Sequence, residues 1–267
     1  GLTSGADSGR GADILLEAES SLSLGEGVGI HSSTLGDGDA GGIVIGGRNG
    51  QRPDVRMRGA SLTTLADFGV GNAGTIEIEA RQLSLSQGSA ILSASRATTA
   101  ETGGARPGSA GSVSIVADEV RLSDASGINV FAEVGPDVPA DLGPGDPSPP
   151  GVVDGNIAIR ARDLLMLAGE SQIEASVGTG LGGSIAIGSA AEPSAGVVLR
   201  ERSVLLARAS GEESAGKTGA SHASTSRGPG RANETLAARG GDIRIDSLAL
   251  FSCPDCLINA DGPTTRS

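Results

Sequence analysis

The chain has no tryptophan, no tyrosine and only three phenylalanines, Phe68, Phe131 and Phe251, in 267 residues. A compact two-layer domain of this length normally fills its core with aromatic rings, so the shortage argues against an ordinary globular interior. Histidine is almost as scarce, with His31 and His222 alone. A serine or threonine nucleophile therefore has few bases to activate it. Lysine occurs once, at Lys217, and 32 acidic against 20 basic residues leave a net charge of -12. That balance argues against a nucleic-acid or anionic-membrane partner and fits a long, solvated surface. No stretch approaches the ~20 apolar residues of a membrane-spanning helix, so no membrane insertion is expected.

What the sequence has in abundance is glycine, 44 residues, set into a repeat. "AGTIEI" at 73–78 has counterparts in "AGGIVI" (40–45), "AGSVSI" (110–115), "DGNIAI" (154–159), "GGSIAI" (182–187) and "GGDIRI" (240–245), with "GADILL" (11–16) as a weaker copy. The anchors Ile14, Ile43, Ile76, Val113, Ile157, Ile185 and Ile243, and the position two residues after each, are always Ile, Val or Leu. The residue between them ranges over Leu15, Val44, Glu77, Ser114, Ala158, Ala186 and Arg244. One face is constrained and the other is free, which is the period-two signature of a strand.

A second alternating pair follows each anchor: Leu22/Leu24, Val55/Met57, Leu83/Leu85, Val120/Leu122, Leu165/Leu167, Val197/Leu199 and Leu248/Leu250. Six positions after its second member the spacing predicts an inward residue of a third strand: Ile30, Thr63, Ile91, Ile128, Ile173, Leu205 and Cys256. Four positions after that member serine recurs, as Ser61, Ser89, Ser126, Ser171 and Ser203. With no histidine at a recurring position, this series reads as a hydrogen-bonding stack at a corner rather than as a nucleophile. Glycine stands two residues before six anchors (Gly41, Gly74, Gly111, Gly155, Gly183 and Gly241), where a positive φ at the corner is expected.

Successive anchors are 29, 33, 37, 44, 28 and 58 residues apart. A floor near 28 residues with variable additions predicts a fixed three-strand coil carrying insertions. The fold class is thus all-β: a right-handed parallel β-helix of about seven coils. It occupies residues 1–262 as a single solenoid, followed by a tail at 263–267. The opening "GLTSGADSGRGADI" resembles the tail of a preceding coil, so the chain reads as a piece of a longer solenoid. The large insertions follow the third strand, at 96–109, 133–153 and 208–239, and should project from one corner. The second holds six of the twelve prolines; its Pro136, Asp137, Pro139, Pro144, Pro147 and Pro149 form a stiff candidate binding loop.

Cys253 and Cys256, in "CPDC", are the only cysteines. Pro254-Asp255 suits the centre of a type I turn, and the turn brings its ends within ~7 Å, so the pair is a disulfide candidate. A zinc site lacks two further ligands of suitable spacing. "GDGDAGG" at 36–42 is a partial likeness to a calcium-binding nonapeptide and reads as a corner turn. No cofactor or metal is expected. Parallel β-helices also carry polysaccharide lyases and hydrolases, but the acidic residues are scattered and sugar-stacking aromatics are absent. Glycoside hydrolysis needs two carboxylates across one cleft, so a non-enzymatic role is expected.

The pattern Gly-x-Ile-x-Ile-x-Ala, then Leu-x-Leu, then Ser-x-Ile, resembles filamentous haemagglutinin-like exoproteins of two-partner secretion systems. "AGTIEIEARQLSLSQGSAILSAS" and "DGNIAIRARDLLMLAGESQIEAS" carry the likeness best, and it runs through nearly the whole chain. The resemblance implies an adhesin or surface filament exported by an outer-membrane transporter partner. It implies an extracellular or outer-surface location, and contact with glycans or proteins of a host or neighbouring cell. The Asn-Pro motifs of that family's secretion domain have no counterpart here, which makes this stretch downstream shaft. On the same reading, limited proteolysis should cut first around Lys217 and Arg227 and leave the coils whole. Early cleavage within 157–184, the most compact coil, would contradict the solenoid.

Overall fold

The computed structural model describes residues 2–6, 9–97, 108–134, 155–177, 183–209 and 241–260. Over these residues the chain is a parallel β-helix. Third strands stack into an eight-stranded sheet, from Leu2–Ala6 and Gly29–Leu35 through Ala90–Ala97 to Val204–Ala209 and Leu257–Asn259. First and second strands share a twelve-stranded sheet. In two coils they fuse into continuous strands, Ser112–Leu122 and Asn156–Leu167, with a register shift after Ala117 marking the bend. The strand Leu2–Ala6 pairs Leu2 with Ile30 and so is the third strand of a coil before the first anchor.

Pairing is parallel and joins equivalent residues. Ile43, Ile76, Val113, Ile157 and Ile185 form one continuous inward row, and each is at most 1% exposed. Leu83, Val120, Leu165 and Val197 form another, also fully buried. The small Ala80, Ala117 and Ala161 lie buried where the first strand bends into the second. At the two ends of the described stack Ile14 and Ile243 are only partly buried, because each has a paired coil on one side alone.

Four expectations are corrected. The inward residue of the second coil is Leu62, not Thr63: Leu62 pairs with both Ile30 and Ile91 and is fully buried. The corner before it, Arg58-Gly59-Ala60, is one residue shorter than its neighbours, and a slip of one exchanges the faces. For the same reason Ser61 falls outside the serine row, in register with Ala90, and Ala60 takes its place. In the last coil the second-strand pair is Leu250/Ser252, in register with Val197/Leu199. Leu248 is 77% exposed. The third-strand residue there is Ile258, which pairs with Leu205, while Cys256 stands two residues earlier at the serine position.

The glycines before the anchors also act differently from expectation, since only Gly111 among them has a positive φ. The others are required by close stacking. A Cβ on Gly74 would lie 1.9 Å from the Gly41 carbonyl oxygen, one on Gly183 would lie 2.4 Å from that of Gly155, and one on Gly241 would lie 2.0 Å from that of Gly183. Any side chain would push neighbouring coils apart.

Ile159 sits fully buried between Ile115 and Ile187. Ile159→Asp would bury a carboxylate without a partner and should cost at least about 4 kcal/mol. Urea denaturation checks it, and an unchanged midpoint would contradict the register.

Candidate functional site

The corners hold the polar chemistry of the molecule. Between second and third strands the chain turns through Ser86–Ser89, Ser123–Ser126, Ala168–Ser171 and Arg200–Ser203. Both central residues of each turn have positive φ: Gln87 and Gly88, Asp124 and Ala125, Gly169 and Glu170, Glu201 and Arg202. This is the sign pattern of a type I′ turn. Six of those eight residues are not glycine, a conformation that costs roughly 1 kcal/mol or more per residue. Serine closes each turn and offsets this cost. Ser89 Oγ donates to the Ser86 carbonyl at 2.7 Å, Ser126 Oγ to Ser123 at 2.7 Å, Ser171 Oγ to Ala168 at 2.7 Å and Ser203 Oγ to Arg200 at 2.5 Å. All four serines are fully buried. The turn peptides also bond from coil to coil, Gly88 N–H to the Asp124 carbonyl at 2.7 Å and Glu170 N–H to that of Glu201 at 2.8 Å.

A second set of hydroxyls, not foreseen from the sequence, points inward from the third strands. Ser93 Oγ lies 2.8 Å from the carbonyl oxygens of both Gly74 and Ala110, which share its single O–H. Thr64 reaches Gly74 at 3.0 Å, Ser32 reaches Ala12 at 2.9 Å and Ser95 reaches Gly71 at 3.0 Å. The same inward row continues as Val130, Ala175 and Ala207. The hydroxyls are thus confined to the earlier coils, and beside the glycine corners at Gly155, Gly183 and Gly241 the row is aliphatic. The parity of the third strand held this signal, since Ser32, Thr64 and Ser93 alternate with buried aliphatics.

Outside that corner the acidic residues of "GDGDAGG" are bound to backbone. Asp39 Oδ1 accepts from both the backbone N–H and side-chain amide of Asn72 at 2.8 Å, and Asn72 Oδ1 accepts from Ser109 N–H at 2.8 Å. Asp13 accepts from Gly42 N–H at 2.8 Å. An open depression of about 460 Å³ lies here, lined by Arg10, Asp13, Asp39, Asn72 and Thr75. Its carboxylates already serve these bonds. Among the described residues no group of three His, Cys, Asp or Glu side chains could hold a metal ion.

The bend between first and second strands carries a charge network that the sequence reading missed. Asp118 is approached by Arg52 at 3.2 Å, from two coils before, and by Arg162 at 3.3 Å, from the coil after. Asp54 is approached by Arg56 at 3.1 Å and also pairs with Arg81. Arg162 also donates to Asp163 at 3.2 Å. That bond, then Asp118, holds its guanidinium above its ordinary pKa. Only the fold could reveal these partners, which are up to 66 residues apart in sequence.

Cys253 and Cys256 form a disulfide across the last corner, with their Cα atoms 5.1 Å apart. The candidate loop residues Pro136, Asp137, Pro139, Pro144, Pro147 and Pro149 lie outside the described residues, as do most of the 96–109 and 208–239 insertions.

The serine row makes a paired prediction. Ser126→Ala should lower stability by about 1–2 kcal/mol by removing a buried hydroxyl donor, whereas Ser61→Ala, outward and half-buried, should stay within ~0.5 kcal/mol. Chemical denaturation of the two variants checks it, and equal losses would remove the distinction between the rows.

No protein-family model, curated protein or solved structure matches the chain.

Proposed function

We propose that the chain is a shaft segment of an exported surface adhesin or filament, acting without catalysis. It would be carried out of the cell by an outer-membrane transporter partner and would face glycans or proteins of a host or neighbouring cell. The observation that carries this reading is the commitment of the corner side chains to the stack. Ser89, Ser126, Ser171 and Ser203 each donate to the carbonyl three residues back, and Asp39 and Asn72 bond to the next coil. Side chains committed in this way hold a rod together and are not free to act as nucleophile or base. A shaft that repeats itself offers a partner few distinguishing features along its strand faces. Recognition then falls to the insertions, which differ in length and chemistry and sit on a rigid scaffold. The proline-rich segment loses less entropy on binding than a flexible one would.

Trimming 133–153 and 208–239 to the length of the shortest coil tests the proposal. Adhesion to cells or to a glycan array should drop at least about tenfold while the β circular-dichroism signal persists, a loss typical of removing a binding hot spot. Unchanged adhesion by the folded, trimmed chain would dismiss these loops as the binding element. Release of new reducing or unsaturated sugar ends from a polysaccharide panel would replace the reading with a carbohydrate-active enzyme.

A further inference from the structure

The last corner departs from the others in a way that ties it to redox state. In the four preceding coils the turn between second and third strands uses two residues of positive φ and is closed by a serine hydroxyl on the carbonyl three residues earlier. The register of the final coil puts Leu257 beside Val204 and Ile258 beside Leu205, so Cys256 stands where Ser203 stands one coil earlier. Cys253 likewise stands where Arg200 stands. Its turn keeps the backbone bond from Cys256 N–H to the Cys253 carbonyl at 3.1 Å. Pro254 cannot take the positive φ of its counterpart Glu201, and a cysteine side chain cannot replace the strong hydroxyl donor. The link between the two positions is instead the Cys253–Cys256 disulfide.

Among the described residues the last coil is paired on one side only, through Asp242–Ile245, Leu250–Ser252 and Leu257–Asn259. Its Leu250, Leu257 and Ile258 are about two-fifths to one-half exposed, at 47%, 42% and 39%. Beneath it Val197, Leu199 and Leu205 are at most 1% exposed. Two bonds flanking the disulfide hold the corner down: Cys253 N–H to the Leu199 carbonyl at 3.1 Å and Leu257 N–H to the Ser203 carbonyl at 3.0 Å. Both cysteines are half-buried on either side of exposed Pro254 and Asp255, so a small thiolate can reach the sulfur atoms.

We propose that the Cys253–Cys256 disulfide is a reducible latch that does for the last coil what the serine hydroxyl does for the others. A dithiol reductant opens it. One of its thiolates attacks a cysteine sulfur to give a mixed disulfide and release the other cysteine, and its second thiol then resolves that bond. Two electrons and two protons pass to the protein, leaving two cysteine thiols and a cyclic oxidised dithiol. The opened corner frays and exposes the apolar row of the coil beneath.

Hydrogen exchange on the full chain, with and without dithiothreitol, tests the latch. Reduction should speed exchange at Cys253 and Leu257 by about tenfold or more, while Ile115 and Ile159 stay unchanged as internal controls. Cys253→Ala/Cys256→Ala should exchange as fast as the reduced wild type. Cys253→Ala/Cys256→Ser restores a hydroxyl at the ladder position and should remain within about threefold of the oxidised protein. Equal rates in oxidised and reduced wild type would overturn the latch. Exchange of the serine variant as fast as the double alanine variant would overturn the equivalence with the serine row.

Discussion

Parallel, in-register pairing places each residue between its own equivalents in the neighbouring coils, one strand spacing of about 4.8 Å away. Almost every other feature follows from that confinement. A branched aliphatic at the anchor packs on another above and below, so the Ile43 to Ile185 row is sealed from solvent. The interior is too narrow to need aromatic rings. The same spacing forbids a side chain where backbones must approach, and the Gly41, Gly74 and Gly111 column answers this by stacking each glycine on a carbonyl.

Turning three times per coil leaves backbone groups at each corner that a sheet ladder cannot satisfy, and polar groups left without partners inside a protein are costly. The chain solves the three corners by different chemistry. Serine closes one from within, hydroxyls on the third strand reach the inward carbonyls of another, and Asp or Asn accepts the outward N–H groups of the coil above. The remaining bend carries the arginine and aspartate network. Asp118 and Asp54 are only 18% and 12% exposed at their side chains, and two guanidiniums on each offset the cost of that burial. Their arginines range from one-third to two-thirds exposed, so screening by solvent keeps each pair's contribution small.

In the proposed role the coils are scaffold and the insertions carry recognition. The rod's rows are self-complementary and its corner groups bond to their own backbone, and the length differences between coils fall chiefly after the third strand. The proposed role as a surface shaft rests on that division of labour between self-pairing coils and the insertions they carry.

The period-two rows and their recurrence are properties of the chain itself, and they determine the solenoid. Any arrangement that buries Ile43, Ile76 and Ile157 together, with variable residues between them outside, must stack equivalent strands. Spacing alone could not fix where a corner loses a residue. The two-residue swing at the last coil and the one-residue slip at Leu62 were decided by strand pairing: Leu62 shares its register with the coils on either side, and the last coil takes its register from the coil before it. Serine at a corner was legible as a stack, but the positive-φ turn it closes depends on backbone geometry that no composition rule supplies. The contact of Arg52 with Asp118 was illegible for a simpler reason. Residues distant in sequence become neighbours only when coil lengths, which vary from one turn to the next, have been summed by the fold.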